Sequence, residues 1–333
     1  MAIIIKMSNK YDVITFGSAS RDIFLSAEQF PVGDFKKDNI KKAILLPFGH
    51  KIEIKEIHFY SGGGGTNTAA TFSAQELKTA YCGVVGKGIE GEAILIELKE
   101  KGIESFIFKT DKKPTNVSVI FSTPKDRTIL VYKGASEILN ISPFLSKIKE
   151  TKWLYLAPFS NKNQLMLKKL IDFAKNNKIK IMANPSYSQL NLPLKTLSPI
   201  LQKIDILLLN QEEAQTLIKN YLLKEEELIK EIKKFFQGIL ILTNGENKVL
   251  VSDESFLYSA LPIKEKVLDK TGAGDAFGAG FLSGYIKSGG DIVFSIQMAV
   301  ANSASCIKKW GAKQGILKNG QKFKKVKVVK KEW

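Results

Sequence analysis

Two stretches, far apart in the chain, carry residue types and spacings that can do chemistry. The later one reads "DKTGAGDAF", Asp269 to Phe277, and sets two glycines, a threonine and a carboxylate where an apolar-faced helical pattern begins. If the helix starts near Gly274, the amides of Gly272, Ala273, Gly274 and Asp275 point outward together. They then form a positive concavity for an anion, reinforced by the helix dipole. A carboxylate in a first helical turn also complements that dipole by itself, which is the plain structural reading. With an anion in the cradle, however, Asp275 is placed to take a proton from whatever attacks it. Anion hole plus general base is the equipment for phosphoryl transfer to a hydroxyl.

The earlier stretch is "SGGGGTNTAA", Ser61 to Ala70, four glycines between a strand and a helix. Without Cβ atoms the backbone at Gly63 and Gly64 can approach a ligand closely. Asn67, in the first helical turn, offers both a donor and an acceptor. No Lys-Ser/Thr follows the glycines, so this is not a Walker loop, nor does it match a dinucleotide fingerprint. A neutral polyol is the better ligand. Three shorter pieces accompany the pair. "GSASRD" follows the first strand, and Asp22 in that loop is placed to accept hydrogen bonds from hydroxyls. "NQEE" ends a strand, so Asn210 and Glu213 read as a capping box or as side chains that order water around Mg²⁺. "TNGENK", Thr243 to Lys248, is a tight turn or a rim for a nucleotide.

These pieces need a scaffold. Short buried β-runs ("YDVITFG", "TAYCGVVG", "WLYLA", "KIKIMA", "IDILLLN", "GILILT") alternate with amphipathic helical runs such as "NQLMLKKLIDFAKNN" and "KEEELIKEIKKFF". That rhythm predicts an α/β fold with a doubly wound, mainly parallel sheet flanked by helices. Two inserts break it: residues 24–60, with short β-like runs, and residues 114–133, a hairpin turning at Pro124–Asp126. Both fit a small antiparallel sheet standing off the main one as a lid on one domain, 1–333.

Composition limits the function. No apolar run approaches a membrane span, and "MAIIIKMSNK" is too short in apolar residues for a signal peptide. With Cys82 and Cys306 the only cysteines, a disulfide framework is not expected and a cytoplasmic home is. His50 and His58 alone exclude a histidine-rich metal site. The net charge of +17 comes almost wholly from lysine, since Arg21 and Arg127 are the only arginines. Nucleic-acid readers favour arginine's planar fork, so the reading is a lysine-rich surface with neither nucleic-acid nor membrane partner.

Together the motifs resemble the ribokinase-like (PfkB) carbohydrate kinases, over nearly the whole chain. The family's glycine-rich signature stands here as "GGGGTNTA" and its second as "DKTGAGDAF", in the expected order. The resemblance implies an ATP- and Mg²⁺-dependent sugar kinase in which Asp275 is the base and Gly272, Ala273 and Gly274 cradle the transferring phosphate. It implies that Asp22, Gly63 and Asn67 bind the sugar, with Gly64 standing where ribokinases proper carry lysine. Asn210 and Glu213 would act through Mg²⁺ and water, and Thr243, Gly245, Glu246 and Lys248 would meet the nucleotide. Asp269 and Thr271 match a site for K⁺, completed by carbonyls of Cys306, Lys309 and Gly311. Both arginines fall beside the expected pocket, and one of them, with Arg127 preferred, is expected to contact a substrate oxyanion or carbonyl. The nearest alternative acceptor is a nucleoside, its base stacked by Phe59, Tyr60 and Phe121. An alternative of another class is a non-catalytic nucleotide- or sugar-sensing or RNA-binding protein, against which the intact Gly-Ala-Gly-Asp argues. A homodimer through the lid is also expected.

Overall fold

The computed structural model describes residues 10–26, 30–34, 42–122, 127–158 and 164–332. In chain order the strands are β1 (Tyr11–Phe16), β2 (Ser20–Ser26), β3 (Val32–Asp34), β4 (Lys42–Ile44), β5 (Ile57–Gly62), β6 (Thr79–Gly86), β7 (Glu104–Thr110) and β8 (Asn116–Ser122). After β9 (Arg127–Tyr132) come β10 (Thr151–Leu156), β11 (Lys180–Ala183), β12 (Ile206–Asn210), β13 (Ile239–Thr243), β14 (Val249–Ser252), β15 (Phe256–Ala260) and β16 (Val328–Glu332). The helices are α1 (Gly64–Ala74), α2 (Ile89–Glu100), α3 (Leu145–Ile148), α4 (Gln164–Asn176), α5 (Tyr187–Leu190), α6 (Leu194–Leu201), α7 (Gln211–Ile218), α8 (Glu225–Lys233), α9 (Ala273–Lys287) and α10 (Ile292–Cys306).

Ten strands form one sheet in the order β16-β15-β14-β13-β12-β11-β10-β1-β6-β7. From β7 across to β13 every pairing is parallel, and β13 to β16 continue as antiparallel ribbons. The parallel strands are apolar on both faces because helices cover both. Along β1, Ile14 and Phe16 join a core that includes Leu170 and Ile171 of α4 and Leu228 and Ile232 of α8, while Val13 faces a second core with Phe277, Phe281 and Ile296 of α9 and α10. From β1 the chain winds outward through β6 to β7, then returns and winds the other way from β10 to β13. The order therefore reverses between β1 and β10, where an open α/β sheet leaves a crevice at the carboxyl ends of its strands.

Four strands form a separate sheet, β5-β2-β8-β9, and β3 pairs with β4 alone. The expectation of an antiparallel small sheet is corrected here: β2 runs parallel to β8, with antiparallel neighbours on either side. The reason lies in the large sheet. β2 follows β1 and β8 follows β7, strands that share one direction, so both segments leave the same edge heading the same way. β2 also begins before the expected insert, and Asp22 stands within this strand, not in a loop. The hairpin over residues 114–133 is present as β8 and β9, while its Pro124–Asp126 turn lies outside the described residues. "KKAILLPF" supplies only the three residues of β4.

Candidate active site

Helix α9 starts at Ala273, and its N-cap Gly272 has φ of +76°. That left-handed conformation disfavours a side chain, and a Cβ there would lie 2.2 Å from the Ala312 Cβ. One side of the turn is thus closed by protein. The other is open, since a Cβ at Gly274 would meet nothing within 4 Å. The first-turn amides have no acceptor within the helix, although the Ala273 amide reaches back to the Lys270 carbonyl at 3.3 Å. The outward set is therefore Gly272, Gly274 and Asp275 more than Ala273.

The glycine run meets this turn from across the crevice. Gly63 has φ of +93°, and a Cβ on it would lie 2.5 Å from the Ser18 carbonyl oxygen. This conformation turns the chain from β5 into α1, two residues earlier than the sequence pattern indicates. Gly64 then packs between Ala157 and Pro158, just past β10, and Asp275, whose Oδ1 would be 3.3 Å from a Cβ at this position. One turn on, Asn67 Nδ2 donates to Asp275 Oδ2 at 2.8 Å, a bond across 208 positions of sequence. Asn67 Oδ1 is buried with no hydrogen-bond partner among the described residues. Asp275 is partly open to the cleft. Burial raises its carboxyl above the ordinary aspartate range, opposed by the Asn67 amide and by the positive charge of Lys313.

Asp22 is buried on β2, where Oδ1 accepts from the Ser20 hydroxyl at 2.7 Å. Its carboxylate lies against the Cα of Gly62, where any Cβ would overlap Oδ2. Burial raises its carboxyl too, against the hydroxyls of Ser20 and Ser118 and the Lys313 charge.

On the opposite wall Asn210 caps α7. Its Oδ1 accepts from the Glu213 amide at 2.8 Å, and Glu213 Oε2 accepts from the Asn210 amide at 2.8 Å, the capping box expected from "NQEE". Burial pushes the Glu213 carboxyl up to about 7, although the Asn210 amide and the Asn184 side chain hydrogen-bond to it. A cleft of about 220 Å³ joins these groups, lined by Asp275, the Gly272–Gly274 turn, Asn210, Glu213, Asn184, Thr243, Lys270 and, from β9, Arg127.

The structure thus brings together Asp275, Gly272, Ala273, Gly274, Asn67, Gly64, Asn210, Glu213, Thr243 and Arg127. Asp22 sits behind the glycine run, near enough for its charge to act on Asp275. Gly245, Glu246 and Lys248 form the β13–β14 turn outside the cleft lining, where Lys248 pairs with Glu226 at 3.1 Å and Glu246 with Lys270 at 3.3 Å. Arg21 is not brought in: strand alternation turns it to the face opposite Asp22, where its guanidinium lies 5.7 Å from the Phe59 ring centroid. The same alternation separates the three aromatic residues expected to stack a base. Phe59 pairs with Ile23 and Phe121 with Leu25 on the Arg21 face, and only Tyr60, paired with Asp22, shares the Asp22 face. The Tyr60 ring is itself packed on Phe24 and against Gly311.

Asp269 is buried, its Oδ1 accepting from the Thr271 amide at 2.9 Å and its Oδ2 from the Gly311 amide at 3.1 Å. The Thr271 hydroxyl beside it is buried without a partner among the described residues. Among the described residues no three His, Cys, Asp or Glu side chains cluster as a metal cage, and no helix is long and apolar enough to cross a membrane.

Two residues at the site were given no role from the sequence. Asn184 follows β11 at a strand carboxyl end, a position that the crevice rule singles out. Lys313 is buried, its Nζ donating to the Ser61 carbonyl at 3.0 Å and to the Ser61 hydroxyl at 2.6 Å. Burial pulls its ammonium down to about 8, while Glu97, Asp22 and Asp275 act the other way. Nothing in the sequence distinguishes it from the other lysines.

Known proteins are similar to this chain in sequence and fold. The model of the pfkB family of carbohydrate kinases matches residues 26–319. A ribokinase of Lactococcus lactis is 29% identical over 304 residues, 90% of this chain and 96% of its own length. A cytidine kinase of Thermococcus kodakarensis is 24% identical over 80% of this chain and 93% of its own. Among solved structures, adenosine kinase from Schistosoma mansoni with 2-fluoroadenosine superposes with a TM-score of 0.75 at 22% identity, covering 93% of this chain and 98% of the other. Ribokinase from Giardia lamblia gives 0.74 at 18% identity, covering 92% and 97%.

Proposed function

The chain belongs to the pfkB family of carbohydrate kinases, and we propose that it transfers the γ-phosphate of ATP to a hydroxyl of a small sugar, with Asp275 as the base. The observation that carries this reading is the placement of one carboxylate. Asp275 is bonded to Asn67 of the glycine run and lies in the first turn of α9, beside open amides. As the new O–P bond forms and the bond to ADP breaks, the acceptor's proton passes to the Asp275 carboxylate. The raised pKa of that carboxylate makes it a better proton acceptor than an ordinary aspartate. The amides of Gly272, Gly274 and Asp275, with a lesser share from Ala273, meet the charge spreading over the transferring oxygens, work that positioning and electrostatics dominate in phosphoryl transfer.

Asp22, the Gly63–Gly64 backbone and Asn67 receive the acceptor. The unpartnered Asn67 Oδ1 supports this role, because a buried acceptor atom calls for a donor such as a sugar hydroxyl. Arg127 enters the cleft from the small sheet and meets an oxyanion there, on the acceptor or on the phosphate chain. Thr243 and Asn210 face the nucleotide, with Gly245, Glu246 and Lys248 on the rim. Magnesium fits the donor set: hard oxygens from Glu213 and the Asn side chains without a closed cage, which suits an ion that keeps its waters and rides on phosphates. Bound there, it would neutralise phosphate charge. The orphan hydroxyl of Thr271 beside Asp269 supports a K⁺ site.

The chain acts as one domain, with the small sheet as a lid that closes over the acceptor and excludes water, in the cytoplasm. Ile23, Leu25, Phe59, Val119, Phe121 and Leu130 give the lid's outer face an apolar surface that supports a homodimer. A sugar is favoured over a nucleoside because Phe59 and Phe121 stand on that outer face, away from Asp22. The test is ADP release from ATP across D-ribose, hexoses, keto-deoxy acids, D-fructose 6-phosphate, adenosine and cytidine. Turnover of a sugar supports the reading, and turnover of nucleosides alone replaces its acceptor. No turnover of any of them would defeat it.

A further inference from the structure

Lys313 is left unused by the roles above. Among the described residues it is the only buried lysine or arginine, in a chain with 50 basic side chains. It follows Gly311, whose amide bonds to Asp269, and Ala312, which closes the Gly272 turn. Around it stand Glu97 of α2, whose Oε1 is 3.8 Å from Nζ, and Asp22 and Asp275, whose charges it feels. Asp22 also feels Asp269, and Lys313 feels Lys101, so four acids share the region with two cations, of which only Lys313 is buried. Pairing with Glu97 does not account for the placement. Both short bonds of Nζ go to Ser61, which also donates its hydroxyl to Glu97 Oε2. Ser61 immediately precedes Gly62, the residue on which the Asp22 carboxylate rests.

We propose that Lys313 is a positioning residue for the acceptor: clamped on Ser61, it fixes the Gly62–Gly63 turn and with it the Asp22 carboxylate that rests on Gly62, aimed at the acceptor's hydroxyls. The inference rests on the reading of Asp22 as an acceptor-binding group. The positive charge enters this site from the segment after α10. The glycine run itself supplies none, Gly64 standing where a Cβ would be tight, 3.0 Å from Pro158 Cδ and 3.3 Å from Asp275 Oδ1.

The test compares Lys313→Met, Glu97→Gln and the double variant, using whichever of D-ribose, D-fructose 6-phosphate, adenosine and cytidine the unaltered protein phosphorylates fastest. The double variant is needed because removing Lys313 alone leaves the partly buried Glu97 with only Lys101, 3.9 Å from its Oε1, as a counter-charge. Lys313→Met is expected to raise the acceptor KM by about tenfold or more while the ATP KM stays within about twofold, and the double variant to keep that defect. If the double variant recovers the acceptor KM, Lys313 only balances Glu97 and the proposal is overturned. Equal shifts in both KM values also overturn it. If the unaltered protein used none of these probes, the kinase reading would fail separately, and a crystal structure of Lys313→Met would decide the inference. Displaced Ser61–Gly63 and Asp22 support it, and unmoved ones overturn it.

Discussion

Replacing Asp275 by asparagine separates chemistry from architecture. The amide has nearly the same shape, and its oxygen can still accept from Asn67 Nδ2, so the 2.8 Å link across the crevice survives. What disappears is the proton-accepting carboxylate. General-base catalysis is typically worth ~10²–10⁴ in rate, or about 3–5 kcal/mol of barrier. Stability moves far less. Loss of the charge–dipole attraction at the start of α9 costs ~0.3–1 kcal/mol, and relief of carboxylate burial offsets it. Burial raises the folded-state pKa of Asp275, so its ionisation opposes folding as pH climbs from the unfolded pKa toward the folded one, and that penalty vanishes in the variant. Asp275→Asn should therefore lose ~10²–10⁴ in kcat, with Tm shifting by only about 2–4 °C and the acceptor KM little changed. Coupled ADP-release kinetics and calorimetry read both quantities. A kcat within about tenfold of the original would refute the base assignment. A large fall in Tm would show that the carboxylate is a structural strut instead.

Three further outcomes follow from the geometry. Gly272→Ala forces a Cβ into the left-handed region and to within 2.2 Å of Ala312 Cβ, so strain and overpacking together cost ~2–5 kcal/mol. Gly274→Ala meets no protein atom and should keep its Tm while losing ATP-dependent turnover, a contrast that calorimetry and kinetics on the two variants will expose. Burial that places Glu213 at about 7 disfavours its carboxylate, so turnover that needs the ionised form should fall as pH drops through about 7. Glu213→Gln should lack that limb in a pH–rate profile at saturating ATP. Arg127→Lys should lower kcat/KM by about tenfold through loss of the planar fork; an unchanged value would remove Arg127 from the site.

Much of this was legible in the sequence because it depends on short-range pattern. Continuous apolar runs between amphipathic helices gave the parallel sheet, "NQEE" gave a cap that forms bond for bond, and "TGAGDAF" put the helix start within a residue of Ala273. Long-range pairing was not legible. The parallel contact between β2 and β8 depends on the directions of β1 and β7, which no local window contains. Asp22 was expected in a loop because Gly17 reads as a strand end, whereas the chain resumes a strand three residues later. Alternation within that strand then decided which of two neighbours, Arg21 or Asp22, faces the site. Lys313 was hidden for another reason: its role comes from burial, and in a lysine-rich sequence residue type says nothing about which lysine is dry.

The Asn67–Asp275 and Lys313–Ser61 bonds join positions separated by 208 and 252 residues. Pairings so distant form only after large loops close, and folds dominated by them assemble slowly. On the ribosome, the glycine run and Asp22 would emerge long before the segment that carries Asp275 and Lys313. A half-made chain can shape its first strands, yet it has neither the Gly272–Asp275 turn nor the buried ammonium of Lys313. With the proposed roles of Asp275 and Lys313, catalytic competence would wait until residue 313 has cleared the exit tunnel.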